Sequence, residues 1–365
     1  MTQLNDAFLD LLVAEAKVPV GKTLSMLVRP SFIASPGKTF VWGDWSAIEA
    51  RVLPWLAGSP GGQAVLDIFE ASDHDKTQPD IYMRTACALI GEDPMYWWAC
   101  YRGEHGEVLQ KQAEYLRQGQ GKVPVLSLGF GGALGALQAM AINYGVFLDD
   151  AKGQWVVDTW RATNPWARAF WGSHDRDGSS GLWGAANQAL ENPGEAFTAG
   201  RVAYVYDKNY LGGTLFCGLP CGRLLTYPDI RWRTRSVKDK RTGEMKDVTA
   251  LWFKKGYGWS ALWYGKLAEN VTQATAGSIL REVLVWLDPR FTPFPDLIND
   301  GNRMTSWMPV VGHTHDEAVT EPAEDRKTDA ARVLKQIMEH RADWRPDLPL
   351  VAEITEKWYY SKSRY

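Results

Sequence analysis

The chain is short of cysteine, of net charge and of long apolar runs. Its 365 residues hold four cysteines, Cys87, Cys100, Cys217 and Cys221, too few and too scattered for a disulfide framework, which fits a reducing compartment. Cys217 and Cys221 have the spacing of half a zinc site, but no second half accompanies them. No run of about 18 apolar residues occurs, so no membrane-spanning helix and no membrane partner are expected. Residues 1–17 read as a short amphipathic helix with acidic residues, unlike a signal peptide, and a cytoplasmic location is expected. The net charge of −3 lacks the basic excess of many nucleic-acid binders. An acidic catalytic centre would offset basic patches elsewhere, so local patterns are more informative. No internal repeat or low-complexity segment stands out.

What is present describes an ordinary globular chain, with 45% hydrophobic and 23% charged residues. Its length suits two or three domains, or one domain with a large insertion. The 18 tryptophans are unusual and read mostly as core or interface anchors. Residues 222–256 contain ten Lys or Arg against four Asp or Glu, interleaved with Tyr227, Trp232, Trp252 and Phe253. Such a mixture suits a surface that tracks a nucleic-acid backbone, and equally a solvated β-hairpin with a charged tip.

Residues 39–45 (TFVWGDW) read as a buried strand after the Pro36–Gly37 turn. From residue 46 to 56 the pattern becomes helical, with Ile48, Val52 and Trp55 on one face. A long helix is expected over 268–287, two short strands with a tight polar turn over 308–320, an amphipathic helix over 325–341, and an extended stretch over 348–354. Strands at both ends of the chain and a mostly helical middle predict an α+β fold, an antiparallel sheet with helices and a large helical insertion.

Asp44 falls at the end of an apolar strand, where a core position does not accommodate charge. Asp316 and Glu317 fall at a hairpin tip beside His315. Carboxylates from separate elements meeting at strand ends form the usual cage for a pair of Mg²⁺ ions, the apparatus of phosphoryl transfer. Each also has a plainer reading. Asp44 caps the helix beginning near Ser46, and His-Asp-Glu forms a solvated turn.

The surrounding residues favour the first reading. GDWSAIEARVLPWLAG (43–58) closely resembles motif A of the family A, or DNA polymerase I-like, DNA polymerases. GHTHDEAVTE (312–321) resembles motif C, and RQGQGKVPVLSLGFGG (117–132) resembles motif B on the fingers helix. Smaller matches follow in order: LVRPSFIASPG before motif A, DIYMRTACALIG at Asp80, WRATNPWARAFW at Trp160, LPCGRLLTYPDI at Leu219, YGKLAENVTQATA at Tyr264, and DLPLVAEI near the end. Nearly the whole chain is covered, and the wording is most similar to the compact polymerases of bacteriophages.

The resemblance implies roles. Asp44 and Asp316 hold two Mg²⁺ ions, for which Mn²⁺ can substitute, with the backbone carbonyl of Trp45 as a further ligand and Glu317 as an acidic neighbour that shapes the site. Glu49 takes the place of the steric gate against a ribose 2′-OH; otherwise it is a helix-surface carboxylate paired with Arg51 or another base. Lys122 reaches the triphosphate of the incoming dNTP as a point charge, and Phe130 stacks against a base. Gln273 and His315 match residues contacting the minor groove and the primer end, with Arg223 and Asn270 as weaker matches on the primer–template DNA.

The motifs also depart from the family pattern. Four residues separate Arg117 from Lys122 where the family has three, which leaves the role of Arg117 toward the nucleotide open. Leu126 stands where many members have Phe or Tyr, and Phe130 replaces the commoner Tyr. Pro124 is compatible with a helix only in its first turn.

The resemblance maps residues 1–61 to a first part of the palm, 62–215 to the fingers and 216–365 to the rest of the palm. Only 43 residues precede Asp44, too few for the family's thumb helices and 3′–5′ exonuclease domain, so these are expected on a separate polypeptide. The function implied is template-directed addition of deoxynucleotides to a primer 3′-OH, in the host bacterial cytoplasm if the chain is phage-encoded. The alternatives are a non-catalytic DNA- or replisome-binding remnant, a single-subunit RNA polymerase, and an unrelated metal hydrolase using His313, His315 and Asp316. The presence of Asp44, Asp316 and Lys122 together weighs against a remnant.

Overall fold

A computed structural model describes residues 27–172, 180–238, 242–299 and 306–361. The helix expected over residues 1–17 lies outside them. The chain divides into two compact units, one of residues 1–46, 279–340 and 350–365, the other of residues 47–278 and 341–349.

The first unit is built on a four-stranded antiparallel sheet. Its central strand β1 (Phe40–Trp45) is buried along nearly its whole length. The alternation of the later sequence supplies its neighbours. The tight turn expected within 308–320 is realised as a hairpin of two strands (Val310–Thr314 and Glu317–Thr320), and an edge strand comes from Ala352–Lys357. Among the described residues these are β9, β10 and β11, and the sheet order is β11–β1–β10–β9.

Phe40, Trp42, Val319 and Tyr360 form a cluster on one face. The other face is covered by an amphipathic helix (Lys327–Met338), whose Ala330, Val333, Leu334, Ile337 and Met338 are buried at helical spacing. A 3₁₀ turn, Glu324–Arg326, precedes it. The Trp45 indole donates to the Met338 carbonyl at 3.0 Å. Gly43 allows this close approach, because a Cβ there would land on Met338 Sδ and 2.9 Å from Ile354 Cδ1.

The second unit begins with helix α1 (Ile48–Ala57), which buries Ile48, Val52 and Trp55 as expected. Its Arg51 is buried, bonded to both carboxylate oxygens of Asp73 at 2.6 and 2.9 Å and lying over the Phe69 ring. Helices follow as far as Glu191. Among them are α2 (Pro60–His74), which supplies Phe69 and Asp73 to Arg51, and α3 (Ile81–Ile90), which carries Tyr82. Strands then begin at Ala196, so the end of the expected helical insertion is sheet. A four-stranded meander is made of β2 (Ala196–Ala199), β3 (Val202–Asp207), β4 (Thr214–Gly218) and β5 (Leu224–Tyr227). A three-stranded sheet follows, β6 (Arg231–Lys238), β7 (Met245–Lys255) and β8 (Gly258–Leu262). Cys87 and Cys100 are core residues packed with Met83, Ala113 and Leu116.

The motif B segment is one uninterrupted helical run of three kinds. An α-helix (Glu107–Leu116) passes into a π-helical stretch (Arg117–Lys122), then back to an α-helix (Val123–Leu128). A π turn takes one more residue than an α turn, so it absorbs an extra residue between Arg117 and Lys122 and keeps both on one side. Pro124 sits directly after this stretch, in the first turn of the resumed α-helix. Its missing N–H and its ring, disruptive in a regular helix, therefore fall where the hydrogen-bond ladder already changes period.

Candidate active site

In the first unit, β1 and β10 bring the acidic residues together by register. The Cα partner of Asp44 is Glu317 on one side and Glu353 on the other. The ladder continues one step further, where the Trp45 amide donates to the Asp316 carbonyl at 3.5 Å. His315 and Asp316 form the two-residue turn between Thr314 and Glu317. His315 takes a positive φ of 43° there and is exposed. A β-hairpin of this length requires positive φ at its first turn position, and a non-glycine residue held there is locally strained.

The three carboxylates differ in environment. Asp44 and Asp316 are half-buried, whereas Glu317 is completely buried. Glu317 accepts hydrogen bonds from Thr314 Oγ1 at 2.9 Å and from the Tyr360 hydroxyl, and Arg29 Nη1 lies 3.4 Å from its other oxygen. A carboxylate held this way stabilises the hairpin root and is turned toward protein donors. Arg29, Thr314 and Tyr360 were not singled out from sequence. Only Arg29 and Thr314 lie within matched stretches, and Tyr360 carries no local signal.

In the second unit, Glu49, Leu126 and Phe130 line one pocket with Leu53, Trp160 and Trp166. Residues 49 and 130 are thus neighbours in space. The Phe130 end of the motif B helix is pinned by Trp171, whose indole donates to the Gly129 carbonyl at 2.8 Å.

Arg117 and Lys122 converge on the Tyr82 ring, the guanidinium carbon 5.1 Å and the ammonium 5.9 Å from its centre. Lys122 also lies 5.4 Å from the Tyr144 ring. Arg117 Nε donates to Asp80 at 2.8 Å, and a second guanidinium nitrogen bonds the same oxygen. Burial works against charge on Arg117, but Asp80 more than offsets it and raises the guanidinium's affinity for its proton. Burial, reinforced by Asp80, pushes the Tyr82 phenol up to about 12. Asp80 and Tyr82 were missed as individual residues, although their stretch matched the family. Asp80 also caps α3, accepting from the Met83 amide at 2.8 Å, so its sequence signal was indistinguishable from that of a helix cap.

Of the remaining predicted residues, Gln273 is exposed on the long helix Tyr264–Trp286. Asn270, on the same helix, donates to the Tyr227 hydroxyl at 3.1 Å. Arg223 lies in the turn joining β4 and β5, its carbonyl accepting from Leu219.

Comparison with known proteins supplies the context for these residues. No family model matches the chain. It is 33% identical over 346 residues to the DNA polymerase of Bacillus phage SP02, an alignment covering 93% of this chain and 44% of that protein. It is 22% identical over 338 residues to the thermostable DNA polymerase I of Thermus filiformis, covering 92% of this chain and 29% of that one. The chain is similar in sequence to DNA polymerases, the polymerase I kind included. It spans less than half the length of these two relatives. Among solved structures, the polymerase domain of Pol1 from M. smegmatis, in complex with DNA primer-template and dNTP, aligns over 94% of this chain and 43% of that one. The TM-score is 0.48 and the identity 15%, too distant to add to that similarity.

DNA polymerases generally use divalent metals, and the oxygen donors of β1 and the β9–β10 hairpin suit them. Among the described residues no three His, Cys, Asp or Glu side chains gather as a self-contained metal cage. Mg²⁺ needs no such cage. It is held by one or two carboxylates, with water and substrate phosphates completing its shell. Asp44 on β1 and Asp316 in the turn leading into β10, both hard oxygen donors, fit that requirement. No helix among the described residues is long and apolar enough to cross a membrane.

Proposed function

We propose that this chain is the catalytic portion of a template-directed DNA polymerase, joining deoxynucleotides to a primer 3′-OH. The observation that carries the reading is the register of β1 and β10, which sets Asp44 beside the Asp316–Glu317 pair in a chain similar in sequence to DNA polymerases.

In this reading the primer 3′-hydroxyl loses its proton to solvent, its oxygen attacks the α-phosphorus of a dNTP, a new phosphodiester bond forms, and the bond to pyrophosphate breaks so that pyrophosphate leaves. Asp44, Asp316 and the Trp45 carbonyl would hold two Mg²⁺ ions, which Mn²⁺ could replace; such ions would supply activation of the attacking hydroxyl and neutralisation of the leaving phosphates. Lys122 offers a point charge to the triphosphate, with Arg117 beside it through the Tyr82 ring. Glu49 and Phe130, in one pocket, serve as sugar gate and base-stacking ring. His315, Gln273, Asn270 and Arg223 contact primer–template DNA. Glu317 holds the hairpin that carries Asp316.

Residues 62–215 act as fingers between two parts of a palm, 1–61 and 216–365. Synthesis takes place in the cytoplasm.

The test is primer extension with Mg²⁺, with and without candidate partner chains, comparing the parent with Asp316→Ala. The expected result is a loss of at least roughly 10³-fold in nucleotide incorporation, the scale seen when a charge-stabilising group is removed from an active site. Full activity in the variant would overturn the reading.

A further inference from the structure

The β6–β7–β8 sheet presents one face whose composition neither the acidic centre nor the nucleotide pocket uses. Residues opposite one another in an antiparallel sheet share a face. The register pairs Arg231 with Trp252, Arg233 with Ala250, Arg235 with Val248, and Lys254 with Trp259. This face therefore carries Arg231, Arg233 and Arg235 along β6, Lys254 on β7, and the indoles of Trp252 and Trp259. No Asp or Glu of the three strands falls on it.

Arg233 lies 4.1 Å and Arg231 5.6 Å from the Trp259 ring centre, and Arg235 lies 5.0 Å from that of Trp252. Arg231, Arg235 and Lys254 are exposed and Arg233 is half-buried. Arg231 also pairs with Asp229, which leaves Arg233, Arg235 and Lys254 as the stronger cationic positions.

We infer that this face binds the sugar–phosphate backbone of duplex DNA. The choice of DNA rests on the polymerase reading above; the choice of a duplex backbone rests on the geometry. Alternate residues along a strand lie roughly 6.7 Å apart, so β6 offers a row of guanidinium forks suited to phosphate oxygens. A duplex presents one charge per about 1.7 Å of its axis, and such a row meets several phosphates in any sequence. Single-strand binders instead need open aromatic faces for base stacking. Here Trp252 is buried and Trp259 is covered by two arginines, so the rings orient guanidinium groups and are closed to bases.

The test uses the full chain and its duplex affinity, without dNTP, as a function of salt. Replacing Arg233 and Arg235 together by Ala is expected to weaken duplex binding about tenfold and to flatten the slope of log K against log salt by about 2, because each phosphate contact contributes about 0.9. Lys254→Ala, which disturbs no ring contact, is expected to flatten it by about 1. A single-stranded oligonucleotide of the same length is expected to lose much less affinity than the duplex. An unchanged duplex slope in both variants, or equal losses for single strand and duplex, overturns the inference. Asp316→Ala, measured alongside, keeps the parental slope while losing incorporation, so failure of the binding surface and failure of the catalytic reading are separable.

Discussion

The Tyr360 hydroxyl donates to the buried Glu317 carboxylate across 43 residues of sequence. It does so beside Thr314 Oγ1 and Arg29, so the acid next to Asp316 is an anchor of the hairpin. Glu317→Ala would leave buried donors without an acceptor. We expect a loss of about 3 kcal/mol in stability, read as a lowered Tm, with Glu317→Gln closer to the parent. A Glu317→Ala chain melting with the parent would contradict the anchoring role.

Glu49 shares a pocket with Phe130 and Leu126. Shortening it to Ala opens space where a ribose 2′-OH is to be refused. Discrimination against ribonucleotides is expected to fall about 10- to 100-fold, the range that pocket shape alone supplies, with little change in Tm. Single-nucleotide incorporation of matched dNTP and rNTP pairs reads this directly. Intact discrimination would remove Glu49 from the gate.

Gly121 lies in the π-helical stretch against the backbone of Tyr82, and a Cβ there would land on the Tyr82 carbonyl oxygen. Backbone cannot yield as a flexible side chain does, so Gly121→Ala is expected to cost about 3 kcal/mol and to raise KM for dNTP, because Lys122 follows directly. Gly135 provides the contrast. It lies in a regular helix (Leu134–Asn143) with nothing within 4 Å of its added Cβ, and Gly135→Ala is expected to stabilise by about 0.5–1 kcal/mol. Equal melting shifts in the two variants would refute the packing argument.

Tyr82 gives a pH dependence with a definite sign. Burial, with Asp80 adding to it, raises its phenol to about 12 in the folded chain, against about 10 unfolded. The folded state therefore holds this proton more tightly. The associated stability is fully present below about pH 10 and is lost as pH rises toward 12. Phenolate absorbance should show one tyrosine of the parent titrating late that is missing from Tyr82→Phe. Stability of Tyr82→Phe should fall less steeply over that window, and parallel curves would count against the assignment.

Much of the fold was legible because its signals are local. The alternation in TFVWGDW, the polar turn HTHDE between apolar strands and the helical spacing of 327–338 each report burial on one face of one element. The local setting of Arg117 and Pro124 was not legible, because sequence spacing does not reveal a change of helix type. The π-helical stretch reconciles both with one continuous helix. The two readings of the basic 222–256 stretch also stood level in sequence, since composition does not tell which residues share a face; the register of β6, β7 and β8 does.

The sequence by itself determined the resemblance to polymerase motifs, their order and the candidate acids, because each is a short run of residues whose chemistry is readable in place. Only the tertiary structure decided what surrounds each acid. Asp44 on β1 and Asp316 in the turn before β10 remain half-buried, while Glu317, adjacent to Asp316 in the chain, is withdrawn into bonds with Thr314, Tyr360 and Arg29. Successive residues at a strand end face different surroundings, and those surroundings are supplied by segments far away in sequence.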